Sequence, residues 1–130
     1  MLVVDTSAVV ELVLRTPIGT RVITEIGDHS LHAPDLIGVE IVSVLRRLVA
    51  IGELSADTAR RAIVDVLDLG VAVYEHAPLL GRMFDLRDNM TAYDAAYISL
   101  AEGLGATLIT CDAKLAKAPG HRATVELVPA

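Results

Sequence analysis

Short apolar runs of strand length alternate along the chain with longer segments of helical period, the pattern of a parallel sheet covered by helices. Leu2 to Val4 reads as the first strand. Ser7 is placed to cap a helix through about Leu14, and Thr16 with Pro17 starts a second helix that stops before Gly27. A short strand at Leu31 to Ala33 follows. Pro34 and Asp35 then open a long helix with apolar positions at Leu36, Val39, Ile41, Val44, Leu45 and Leu48, halted at Gly52. Its end carries Arg46 and Arg47, the sign of charge that a helix C-terminus prefers.

Ser55 caps the next helix, which runs to Leu69 with Gly70 as its stop, and Val71 to Tyr74 is the third strand. Pro78 to Leu86 is helical. After the polar turn Arg87-Asp88-Asn89, Thr91 begins a helix that ends near Gly103 and Gly105. Thr107 to Thr110 is the fourth strand, Ala113 to Ala118 a short helix, Pro119-Gly120 a turn and Val125 to Val128 the last strand. The order predicts an α/β fold.

Length adds that 130 residues make one domain, 1–130, since domains usually run to roughly 100–150 residues. Hydrophobic residues are 53% and charged residues 22%, which excludes disorder. Charges or polar residues interrupt every apolar stretch short of the ~18–20 residues that a bilayer crossing needs, so no membrane role is expected. Met1-Leu2-Val3-Val4-Asp5 has no feature of an export signal, and Cys111, the single cysteine, offers neither an internal disulfide nor a cysteine zinc site. A cytoplasmic protein is the expectation. The net charge of -6 has the wrong sign for holding nucleic acid on a broad basic surface, so such binding must be local or assisted by cations. With only 3% aromatics and so many aliphatics, apolar surface is left over for a homo-oligomer, a tight protein partner, or both.

In open parallel sheets ligands bind beyond the carboxyl ends of the strands. Asp5 directly follows the first strand and Asp112 lies just past the fourth. Each also fits an Asx turn or helix N-cap. Glu40 stands among Leu36, Ile41 and Val44 with no basic residue at pairing distance, facing either solvent or a site. Asp94 fits the acid of a capping box begun at Thr91, yet the small Ala95, Ala96 and Ala101 place its helix close against the sheet and its mouth on the same edge. Four acids, Asp5, Glu40, Asp94 and Asp112, then converge. Hard oxygen ligands without His or Cys suit Mg²⁺ or Mn²⁺ rather than zinc.

Asp5-Thr6-Ser7-Ala8 after an apolar strand, Glu40 in the long third helix, Thr91-Ala92-Tyr93-Asp94-Ala95-Ala96-Tyr97, and Thr110-Cys111-Asp112 followed by Leu115-Ala116 together resemble the PIN-domain nucleases, in particular VapC-type toxins. The resemblance covers the whole chain and implies a three-layer α/β/α sandwich with a mostly parallel sheet. It further implies an endoribonuclease dependent on Mg²⁺ or Mn²⁺, acting on RNA with a metal-activated water and held inactive by a cognate antitoxin. On that resemblance Asp5 and Asp94 are the main metal ligands and Glu40 and Asp112 complete the pocket. Thr6, Ser7 and Thr110 support them by hydrogen bonding. A homodimer or a toxin–antitoxin hetero-oligomer is the implied assembly. Some relatives carry a further acid after the fourth, where this chain has Ala113, Lys114 and Lys117, which argues against a permanent second metal.

Arg82 and Arg87, near the Asp94 helix mouth, are candidates for RNA contact, and Lys114 for a phosphate or a solvated face. Arg46-Arg47 and Arg60-Arg61 fit solvated helix charges, with an RNA backbone as the alternative. Tyr93 and Tyr97 fit core packing, with base stacking as the alternative. His29, His32, His76 and His121 lack ligand spacing. Two other classes remain: a phosphoacceptor receiver domain, which the third strand's ending in Tyr74-Glu75 fits poorly, and a catalytically silent RNA- or protein-binding module. No glycine-rich phosphate loop follows any strand.

Overall fold

The computed structural model describes residues 1–129. Five parallel strands form one sheet: β1 (Leu2–Val4), β2 (Leu31–Pro34), β3 (Ala72–Tyr74), β4 (Thr107–Thr110) and β5 (Val125–Leu127), in the order β3-β2-β1-β4-β5. Leu2 stands opposite both Leu31 and Thr107, and Thr110 opposite Leu127. The helices are α1 (Thr6–Val13), α2 (Pro17–Ile26), α3 (Ile37–Ala50), α4 (Ala56–Asp68), α5 (Leu80–Asp85), α6 (Ala92–Leu104) and α7 (Ala113–Lys117). Right-handed crossovers put α1 to α4, which lead outward from β1 to β3, on one face of the sheet. They put α5 and α6, which lead back across it to β4, on the other. The result is the α/β/α sandwich that the alternation of periods and the resemblance together predict.

The central strands are covered on both faces, so β1 and β4 read as continuous apolar runs, with Val3, Val4 and Leu108 fully buried. From Ala95 to Ala101 every residue of α6 is buried, its alanines letting the helix lie close on the sheet. The order of strands reverses between β1 and β4, and that switch point opens a crevice at their carboxyl ends.

Several boundaries differ from the sequence expectation. Asp5, not Ser7, caps α1, accepting the Ala8 N–H, because β1 already ends at Val4. Pro34 belongs to β2, opposite Tyr74, and α3 begins only at Ile37. Leu36 offers α3 no side-chain cap; instead Nε2 of His76 accepts the Leu36 N–H. The segment from Pro78 splits into a 3₁₀ turn, Ala77–Leu79, and the short α5. No helix is long and apolar enough to cross a membrane among the described residues.

The packing of α1 on α2 depends on Gly19. A Cβ there would lie 2.1 Å from the Glu11 carbonyl oxygen, a backbone atom that no rotamer change can move. Gly19→Ala is therefore expected to destabilise the protein by about 1–3 kcal/mol, the usual cost of overpacking, as a lower urea midpoint.

Candidate active site

Asp5, Glu40, Asp94 and Asp112 line one cavity of about 530 Å³ at the switch point, together with Thr6, Ser7, Tyr97 and Cys111. Each acid sits at the beginning of a different helix. Asp5 caps α1, Asp112 caps α7, Glu40 is in the first turn of α3 and Asp94 in the first turn of α6. The positive end of each helix dipole favours a carboxylate at that place, so being a cap and belonging to a site are compatible here.

Asp5 is buried, only 5% exposed, and accepts three hydrogen bonds. Its Oδ1 accepts from the Ser7 hydroxyl at 2.7 Å and the Ala8 N–H at 3.0 Å, and its Oδ2 from the Thr110 hydroxyl. Those hydroxyls are held in turn. Ser7 Oγ accepts the Cys111 N–H and Thr110 Oγ1 accepts the Asp112 N–H, so β1 and β4 are knotted at the site. Desolvation nevertheless dominates and raises the Asp5 pKa, with the Asp112 charge adding to it against the lowering by Thr110, Ala8 and Ser7.

Glu40 is fixed through one oxygen. Thr6 Oγ1 and Tyr97 Oη both donate to Oε1, at 2.9 and 2.6 Å, which leaves Oε2 without either donor. The Tyr97 hydroxyl is pushed strongly upward by burial and by its bond to Glu40, so it stays protonated and remains a donor. Thr91 caps α6 by accepting the Asp94 N–H at 3.2 Å. The Asp94 carboxyl itself is half-buried and its pKa is raised, first by desolvation and then by the charges of Asp112 and Glu40; Lys114 pulls the other way. Cys111 is pushed up to about 11 by burial and the neighbouring Asp5, so its thiol stays protonated at neutral pH.

Neighbouring acids that raise the proton affinity of Asp5 and Asp94 make a crowding that a cation relieves, and the donor set is all hard oxygen. Among the described residues no three Asp, Glu, His or Cys side chains converge closely enough to enclose an ion unaided. Mg²⁺ keeps several waters and takes only one or two carboxylates from a protein, a number that the acids lining this cavity can supply. Zinc, which wants a closed set of His or Cys, is not served.

The three basic candidates, Arg82, Arg87 and Lys114, are not among the residues that line the cavity. Arg82 reaches across to the back of α6, where Nε and Nη2 grip the two oxygens of Glu102 at 2.8 and 3.0 Å. This bidentate pair, with the Arg122 N–H, holds Glu102 down to about 2. Arg87 lies over the Phe84 ring, 4.5 Å from its centroid. Tyr97, packed in the core as its neighbours predict, and Arg47, exposed in the last turn of α3, also line the cavity. Their spacing carried a signal, since Tyr97 is three residues after Asp94 and Arg47 seven after Glu40, each on the same helix face. No residue of β3 lines the cavity, which is where a receiver would need its acceptor.

The PIN domain family model matches residues 2–120. The chain is 41% identical over 128 residues to "Ribonuclease VapC12" of Mycobacterium tuberculosis, covering 98% of this chain and 99% of that one. Among solved structures it is similar to PAE2754 from Pyrobaculum aerophilum, with a TM-score of 0.72 and 26% identity, over 95% of this chain and 81% of that one. VapBC2 from Rickettsia felis, solved bound to a DNA fragment from its promoter, shares the fold at a TM-score of 0.69 and 12% identity, with 97% of both chains covered.

Proposed function

From the chain's membership of the PIN-domain family, among the VapC ribonucleases, we propose that it is an endoribonuclease toxin whose cleavage of RNA phosphodiester bonds requires Mg²⁺ or Mn²⁺. The observation that carries this reading is the gathering of four carboxylates, from four elements distant in sequence, round one cavity at the sheet's switch point. Asp5 and Asp94 would hold the cation, with Glu40 and Asp112 completing the set. When bound, such an ion activates a water for attack on phosphorus and offsets charge developing on the phosphodiester.

The residues of the chain prepare that chemistry. Ser7, Thr110 and the Ala8 N–H fix the Asp5 carboxylate in a single orientation. Thr6 and Tyr97 do the same for Glu40 through Oε1 and leave Oε2 without either donor, which pre-orients the carboxylate for a cation. No nucleophilic side chain is required, and the protonated Cys111 thiol is not one.

The reading extends to one PIN-like nuclease domain over residues 1–130, working in the cytoplasm and kept silent by a cognate antitoxin in a homodimer or toxin–antitoxin assembly. Val39, Val42, Val64 and Leu67 leave apolar side chains in solvent along α3 and α4, which supports a protein partner. The test is cleavage of a mixed structured RNA by the purified, partner-free protein. Cleavage with Mg²⁺ or Mn²⁺ that EDTA stops is the expected result; RNA binding without cleavage under any cation would establish the silent binding module instead.

A further inference from the structure

The cavity has a second half of different character. Beyond the carboxylates it is lined by Val10 of α1, Ile18 of α2, and Val44 and Arg47 of α3. Glu40, Val44 and Arg47 follow one another at i, i+4 and i+7, one stripe down α3, and two turns of helix put Arg47 ~10 Å along the axis from Glu40. Val10 is buried and Ile18 and Val44 are half-buried, so together they make an apolar floor beside the acids.

Arg47 is exposed at the edge of this floor. Five carboxylates line the same cavity, yet among the described residues Arg47 forms an ion pair with none of them. Glu11, the acid that α1 contributes to the cavity, is engaged by the Thr16 hydroxyl. An arginine present to neutralise the acids would pair with one. This one is left free, in a cavity of about 530 Å³ that Glu40 also lines. An apolar floor with a free guanidinium at its rim matches the two ends of a nucleotide, a flat heterocycle and a phosphate that accepts two parallel hydrogen bonds.

Resting on the ribonuclease reading above, we propose that Val10, Ile18, Val44 and Arg47 form a nucleotide subsite that seats one base of the RNA beside the bond to be cut. Arg47 binds that nucleotide's phosphate, holding the strand so that the next phosphate lies over the acids. Binding of this kind is shared by ground state and transition state, so it governs KM and leaves kcat nearly untouched.

The test is an NMR titration of the methyl-labelled protein, in Mg²⁺, with adenosine, guanosine, cytidine and uridine monophosphates and with inorganic phosphate. At least one nucleotide is expected to shift the methyl resonances of Val10, Ile18 and Val44, whereas inorganic phosphate leaves them in place. Arg47→Ala should weaken the nucleotide by about tenfold or more, and Arg47→Lys, which keeps the charge and loses the fork, should fall between. Arg47 is exposed, so its variants keep the fold, and an unchanged methyl spectrum before titration verifies it. Because the titration needs no cleavage, failure of the subsite is separable from failure of the nuclease reading. Floor methyls that respond to none of the nucleotides, or an affinity equal in Arg47→Ala, overturn the proposal and leave that rim to a protein partner.

Discussion

Asp94→Asn is expected to reduce RNA cleavage by at least about 10²–10³-fold while making the cation-free protein more stable. Both effects have one origin. The Asp94 carboxyl is half-buried, faces Asp112 and Glu40, and has a pKa above its ordinary 3.8. A raised folded-state value means that its contribution to stability is fully present below pH 3.8 and is lost as pH rises through the folded value. At neutral pH the ionised group therefore costs stability, and the amide removes that cost. A cation reverses the comparison, stabilising the wild type by mass action and the variant much less. Thermal melts at neutral pH with EDTA and with Mg²⁺ check this. A variant that is less stable in EDTA, or equally stabilised by Mg²⁺, would remove Asp94 from the cation site.

Thr110→Val is expected to lower cation affinity by about 10–100-fold and stability by about 1–3 kcal/mol. Thr110 is fully buried, and its one hydroxyl both donates to Asp5 and accepts the Asp112 N–H. Valine keeps the shape and orphans both partners. Thr110 is also the largest of the influences that lower the Asp5 pKa, so without it the carboxyl moves further up and cleavage starts at a higher pH. A pH–rate profile against Mg²⁺ concentration reads both shifts, and Thr110→Ser, which restores the hydroxyl, should return them. An acid limb that does not move would mean that Asp5 is positioned by Ser7 and Ala8 alone.

How far the sequence reveals this molecule depends on the range of each interaction. Periodicity reports local burial, so the order of strands and helices is legible, and the four acids can be placed because helix and strand ends are local too. Rival local signals are not resolved. Asp5 and Ser7 are both good caps, and what selects Asp5 is the pairing that ends β1 at Val4, fixed by β4 more than a hundred residues on. Pro34 looks like a helix start, yet it lies in β2 because its register with Tyr74 completes the strand. Arg82 grips Glu102, whose distance along the chain gives no hint of contact. Tyr97 and Arg47 show the converse case, where helical spacing from a recognised acid held the information but apolar neighbours and a helix end offered simpler readings.

The knot of Asp5, Ser7 and Thr110 also bears on how the molecule comes into being. Its halves are separated by 105 positions, and the central strand that carries Asp5 acquires its second neighbour only when β4 is made. During synthesis the N-terminal portion emerges first and can collapse, but α1 then carries an acid with no hydroxyl from residue 110 to hold it and no Asp112 beside it. Every chain that translation abandons before β4 is therefore without the assembled pocket. A ribosome making an enzyme that attacks RNA carries it without a finished pocket until Asp112 has been added, and products cut short before that point are inert.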